Sequence, residues 1–125
     1  MTDDINRPEV VAEVRAALER YNRALEVRDV ATLNELFWES SNTVRFGFGE
    51  NLFGHDEIVR YRGSQWQHAS ERNVVKVVIT TIGQDCAATS LVLDRGDKLS
   101  RQSQTWARRP EGWRIVAAHV SVLKK

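Results

Sequence analysis

The stretch VVKVVITTIGQDCAATSLVLDRGDKLSRQSQTWARRPEGWRIVAAHVSVL, residues 74–123, decides the fold. It contains four strand-like runs, 74–82, 86–93, 99–108 and 113–123, rich in β-branched and aromatic residues at alternating positions. Between them stand Gly83-Gln84-Asp85, Arg95-Gly96-Asp97 and Pro110-Glu111-Gly112, which have the composition of hairpin turns. Strands joined by connections this short pair antiparallel, so this part of the chain reads as a meander. Several runs are apolar on both sides, notably Val74-Val75-Lys76-Val77-Val78-Ile79 and Val116-Ala117-Ala118-His119-Val120. One face of such a sheet packs on helices and the other needs a second cover. We therefore expect a homodimer or higher homo-oligomer joined through the outer sheet face.

Upstream, the grammar is helical. Pro8 and Glu9 suit a first helical turn, with Asn6 as a candidate cap. Val10, Val14, Leu18, Tyr21 and Leu25 then recur at three- and four-residue steps, the stripe of an amphipathic helix running to Val27. Asp29 can cap a second, shorter helix that turns Leu33, Leu36 and Phe37 inward. Residues 43–48 read as an early strand and 54–62 as a third helix carrying Ile58 and Tyr61. Helices first and a meander after give an α+β fold with helices on one face of a curved sheet.

At 125 residues, 42% hydrophobic and 28% charged, the chain has the length and balance of one globular domain, residues 1–125. Its 18 Lys and Arg against 17 Asp and Glu leave a net charge of +1, too little to recruit nucleic acid or an anionic membrane by itself. No apolar run is long enough to span a bilayer. The acidic start and the lone Cys86, which excludes an internal disulfide, point to a cytoplasmic protein. His55-Asp56-Glu57 lacks a second ligand cluster at a metal-like spacing, and no phosphate-binding glycine loop is present. Neither metal nor cofactor is expected.

A curved sheet closed by helices makes a cone, whose interior is the natural ligand site. Tyr21 points into it from the helical stripe, and Arg45 stands between Val44 and Phe46 on the early strand. In the last run Trp113, Ile115, Ala117 and His119 share parity, so His119 is assigned inward with Trp113 and Ile115. In the preceding run Gln102, Gln104 and Trp106 share one face. Each has a plainer reading. Tyr21 and His119 can be structural, Gln102 and Gln104 can satisfy backbone groups or each other, and Arg45 can pair with Glu50 or Glu57. Arg60, Arg62, Arg101, Arg108 and Arg109 read as solvated or interface charges, although Arg62 beside Tyr61 can reach the mouth.

The chain resembles the nuclear-transport-factor-2-like (NTF2-like), or SnoaL-like, superfamily, which includes the ketosteroid isomerases. The likeness rests on RYNRALEVRDVATLNELF, TVRFG and RQSQTWARRPEGWRIVAAHVS. INRPEVVAEV, ENLFGHDEI and the final block are similar to the small DUF3225-type proteins that accompany amidases in oxalurate and cyanuric acid breakdown. The resemblance implies a cone with a curved, mostly antiparallel sheet and helices on its concave face. Tyr21 matches the carbonyl-polarising tyrosine of the isomerases, but their general-base aspartate falls on Arg45 and their second oxyanion donor near Gln104.

Such a site holds donors only. The closer relatives imply decarboxylating hydrolysis of a small anionic ureide, 1,3-dicarboxyurea, to urea-1-carboxylate (allophanate). On that reading Tyr21 and Arg45 are catalytic, Arg45 also anchoring a carboxylate, while Gln104, His119, Arg62, Gln102 and Trp106 bind substrate. Two rivals stand beside it: a non-catalytic ureide-binding or accessory protein for a partner amidase, and a SnoaL-type isomerase or cyclase. The isomerase needs an internal carboxylate base, for which Glu50 and Glu57 are the near candidates.

Overall fold

The computed structural model describes residues 4–65 and 72–125. Among them the chain forms helices α1 (Pro8–Val27), α2 (Val30–Leu36) and α3 (His55–Gln65). The strands are β1 (Val44–Phe46), β2 (Asn51–Phe53), β3 (Val74–Ile82), β4 (Cys86–Asp94), β5 (Lys98–Arg109) and β6 (Gly112–Lys124). They build one sheet in the order β2-β1-β6-β5-β4-β3. All pairings are antiparallel except β1 with β6, which is parallel. The result is the α+β cone expected from the sequence, with β6 central and the helices on the concave face.

α1 buries Val10, Val14, Leu18, Tyr21 and Ala24 along one stripe, as its periodicity requires. It ends where Arg28 enters the left-handed region at φ 57° and the Asp29 N–H returns to the Ala24 carbonyl at 2.8 Å. Asp29 then caps α2 by accepting from the Thr32 N–H at 3.2 Å, so one pair of residues turns the chain between two helices. Asn6 does not cap α1. Its side-chain oxygen accepts from the Thr81 N–H at 2.8 Å and its own N–H donates to the Thr81 carbonyl at 3.0 Å, tying the start of the chain to β3. The early strand is shorter than 43–48, because the chain turns at Gly47 to form β2.

The decisive irregularity is in β6. Thr105 pairs with Ala117 but Trp106 pairs with Ile115, so Val116 has no residue opposite it. A bulge of one residue reverses the parity of everything beyond it. Trp113 and Ile115 face the helices as expected, but past the bulge Ala118 is the buried residue and His119 is exposed. His119 therefore stands on the outer face, edge-on to Phe46 at 5.8 Å between ring centroids.

Under α1 and α2 the core centres on Trp106, Phe37, Leu33, Leu36, Ile58, Leu91, Leu93 and Ile115. The buried Trp106 indole donates to the Thr89 hydroxyl at 3.1 Å, which donates to the Gln104 side-chain oxygen at 3.3 Å. Gln104 and Trp106 are thus core residues joined through the Thr89 hydroxyl, which meets the indole N–H and the Gln104 oxygen. No helix among the described residues is long and apolar enough to cross a membrane.

The N-terminal half of α1 is pinned to the sheet through Glu13, which accepts from the Trp113 indole at 3.0 Å and pairs with Arg108 at 2.6 Å. The indole hydrogen bond, with Arg108 adding to it, holds the Glu13 carboxyl below the ordinary glutamate range against the opposing effect of burial. A depressed carboxylate contributes stability above its unfolded value and loses it as pH falls through its folded value. Thermal melts of wild type and Glu13→Gln should therefore differ at neutral pH, with wild type the more stable, and converge in acid below the ordinary glutamate range.

Candidate functional site

A cavity of about 210 Å³ opens at the end of the cone where the C-terminal part of α1, α3 and the β1–β2 turn meet the β4–β5 turn. That is below the roughly 300–1,000 Å³ of clefts that take drug-sized ligands, and it suits a small metabolite. Its walls are unusual in charge. Arg45, Arg62, Arg72 and Arg95 all line it, together with Tyr21, Tyr61 and Gln102, and no carboxylate is among its lining residues that the structure describes. Leu25, Phe48 and Val120 supply the apolar remainder.

Each arginine is placed by local structure. Arg45 pairs in register with Ala118, so β1 turns its side chain inward while Val44 and Phe46 face out. Its Nη1 donates to Glu50 at 2.6 Å, and its guanidinium lies 5.7 Å from the Tyr61 ring centre. Glu50 is gripped further by the Gly49 N–H at 3.1 Å and by the Tyr61 hydroxyl. Burial foremost, then the neighbouring Glu50, raises the Tyr61 phenol above its ordinary value, so it stays a neutral donor.

Arg62 comes from α3, is 7% exposed, and donates from Nη2 to the Tyr21 hydroxyl oxygen at 3.3 Å. A phenol oxygen that accepts from a guanidinium still has its own proton to give. Arg72 lies just before β3 and donates from Nη2 to the Gln102 side-chain oxygen at 3.0 Å. Burial pushes its guanidinium below the ordinary arginine value, and the positive charge of Arg95 adds to that effect. Arg95, in the β4–β5 turn, is tied to the Ser100 hydroxyl at 3.0 Å. The buried Nε atoms of Arg45 and Arg72 and the Nε2 of Gln102 have no hydrogen-bond partner among the described residues. Unused donors at this density suit a ligand rich in acceptor oxygens.

Of the residues singled out in the sequence, Tyr21, Arg45, Arg62 and Gln102 line this cavity. Gln104 and Trp106 do not, because their inward positions on β5 fall deeper, inside the core. His119 does not, because the bulge at Val116 sends it to the other side of the sheet. The sequence reading missed Arg72 and Arg95. Arg95 sits in a segment that reads simply as a turn, but Arg72 shares parity with the core-facing Val74, a signal that an arginine there points inward. Among the described residues no group of three or more His, Cys, Asp or Glu is gathered to hold a metal ion.

Comparison with known proteins shows the family and the fold. A family model described as AtzH-like matches residues 3–125. A crystal structure of a protein of unknown function from the DUF3225 family, from Pectobacterium atrosepticum, is 48% identical with a TM-score of 0.94, over 99% of this chain and 98% of that one. A cystatin-like fold protein from Burkholderia xenovorans is 40% identical with a TM-score of 0.92, over 99% of both chains. An NTF2-like superfamily protein from Salmonella enterica, 24% identical with a TM-score of 0.73 over 94% of this chain and 93% of that one, shares the fold. No curated protein matches the chain.

The Arg45–Glu50 pair depends on Gly47, since a Cβ there would collide with the Glu50 carboxylate and come within 2.9 Å of the Arg45 Nη1. Gly49, two residues on, has open space around it. Gly47→Ala should therefore push the flexible end of Glu50 off Arg45 and lower the unfolding free energy by no more than about 1 kcal/mol in urea titrations, since only side-chain ends must move. Gly49→Ala should leave it nearly unchanged.

Proposed function

The chain belongs to the AtzH-like family, and from that footing we propose that it is a cytoplasmic, cofactor-independent enzyme that removes carbon dioxide from a small N-carboxylated urea. The substrate we propose is 1,3-dicarboxyurea and the product urea-1-carboxylate, allophanate. One observation carries the reading: four arginines and a buried tyrosine hydroxyl surround a cavity of about 210 Å³ that has no carboxylate among its described lining residues. Guanidinium groups match carboxylates bidentately, and walls whose described residues offer donors and no carboxylate favour holding an anion over abstracting a proton from carbon.

The reaction such a site favours is loss of carbon dioxide with delivery of a proton. The bond between the urea nitrogen and a carboxylate carbon breaks, its electron pair stays on nitrogen, and that nitrogen takes up one proton. Tyr21 supplies the proton and recovers one from water, while Arg62, already bonded to its oxygen, compensates the charge that develops there. Arg45 and Gln102 orient the anion. The product is still an amide, so the class of enzyme that would consume it is an amidase, which gives the functional link to such a partner its chemical sense.

Carboxylated ureas also decay unaided, so the assay compares carbon dioxide release from fresh dicarboxyurea with and without catalytic amounts of protein. Turnover well beyond one equivalent supports an enzyme; acceleration limited to one equivalent identifies a binder. Tyr21→Phe and Arg45→Ala should each lower the catalysed rate about 100-fold or more while melting normally. Full activity in both folded variants would sink the mechanism.

We also propose that the working unit is a homo-oligomer joined through the outer sheet face. Phe53, Val78 and Ile82 are more than two-fifths exposed there, among small residues such as Ala88 and Ala117. Light scattering after size-exclusion chromatography should give a mass of at least twice 14.3 kDa. A monomer at micromolar concentration would refute it.

A further inference from the structure

The two carboxylates of such a substrate make opposite demands on the protein. The one that leaves becomes neutral carbon dioxide, so a strong cation on it stabilises the ground state more than the transition state and slows the reaction. The one that stays keeps its charge throughout, and a strong clamp there adds affinity without that penalty. An efficient site is therefore unequal at its two ends.

The cavity is unequal in this sense. Arg45 is largely neutralised by Glu50 at 2.6 Å, and Arg62 spends Nη2 on the Tyr21 hydroxyl. Arg72 differs: it donates to the neutral Gln102, and among the described residues no acidic side chain lies within ion-pair distance of it, Glu26 acting on it only from farther off. The Arg72 Nε and the Gln102 Nε2 are buried donors without partners among the described residues, and Arg95, lining the same cavity, adds a second positive charge close enough to act on Arg72. Two guanidinium groups held near each other in a low-dielectric setting repel, and an anion between them relieves that repulsion.

Resting on the decarboxylation reading above, we propose that Arg72, with Arg95 and Gln102, clamps the carboxylate that the substrate retains, and that the Tyr21, Arg62 and Arg45 end receives the one it loses. Arg72 is then a specificity residue. It selects dicarboxylate dianions with a short polar spacer over monoanions, and it also holds the monocarboxylate product.

Two measurements test this, one of them independent of turnover. In calorimetric titrations glutarate, whose three-atom spacer equals that of dicarboxyurea, should bind wild type at least about tenfold more tightly than butyrate. Arg72→Gln should bring glutarate close to the butyrate level, and Arg72→Lys should fall between, since it keeps the charge and loses the fork. In turnover, Arg72→Gln should raise KM about tenfold or more with kcat within a few-fold, whereas Arg45→Ala lowers kcat. If wild type shows no preference for glutarate, or a folded Arg72→Gln keeps both that preference and the wild-type KM, the clamp is refuted even if the protein is a decarboxylase. If the preference is present and depends on Arg72 but dicarboxyurea is not turned over, the clamp stands and the decarboxylase reading falls.

Discussion

A single extra residue in β6 governs which side chains reach the cavity. β6 must pair with β5 on one side and with β1 on the other, and paired residues share a face. Beyond the bulge at Val116 the inward residue is Ala118, and Arg45 is registered against Ala118. Without the extra residue the inward positions would be Ala117 and His119. A β1 held against them in the same register would then carry Val44 and Phe46 to the cavity and Arg45 to the outside. The bulge is thus what puts a guanidinium inside the cone, and it does so with Val, Ala and Ala, residues that commit to neither face.

Gathering positive charge in a small, partly dry space is costly, and the fold offsets only part of that cost. Arg45 has Glu50, held in place by the Gly49 N–H and Tyr61 and given room by the missing side chain at Gly47. Arg62 lies against the Phe37 ring and on the Tyr21 hydroxyl. Arg72 and Arg95 rest on neutral oxygens of Gln102 and Ser100. The charge left uncompensated is what the proposed dianion would neutralise, so the residues that are costly to gather would also supply its affinity. A chain with a net charge of +1 hides this polarity, because Asp and Glu elsewhere balance arginines that face inward.

Much of the fold was legible. α1 runs from Pro8 to Val27 as its stripe and its proline indicate, and the four strands of the meander lie within a residue or so of their sequence limits. These elements declare themselves because periodicity and turn composition agree. What stayed hidden were features that alternation cannot register. The Val116 bulge lies in a run apolar on both faces, so parity counted from Trp113 carried His119 to the wrong side. β2 is three residues long and leaves no pattern. Gln102 and Gln104 have the same residue type and parity, yet one reaches the cavity and the other the Thr89 hydroxyl, a distinction set by depth along β5. Arg45 and Tyr21 were legible as inward residues because each is a polar group in an otherwise apolar pattern.

The chemistry that suits this site follows from what it lacks as much as from what it holds. In a cone of this kind a carboxylate at the position of Arg45 would make proton abstraction the natural reaction, with Tyr21 polarising a carbonyl. A guanidinium there instead suits the same geometry to the anion binding and proton donation proposed above. Pairing Arg45 with Glu50 moderates the change, because it keeps the planar fork for orientation while reducing the charge that would hold a departing carboxylate too firmly. An arginine that orients without strongly retaining fits a carboxylate that must leave as a neutral molecule, and the charge of Arg72, with no ion pair among the described residues, fits one that must stay.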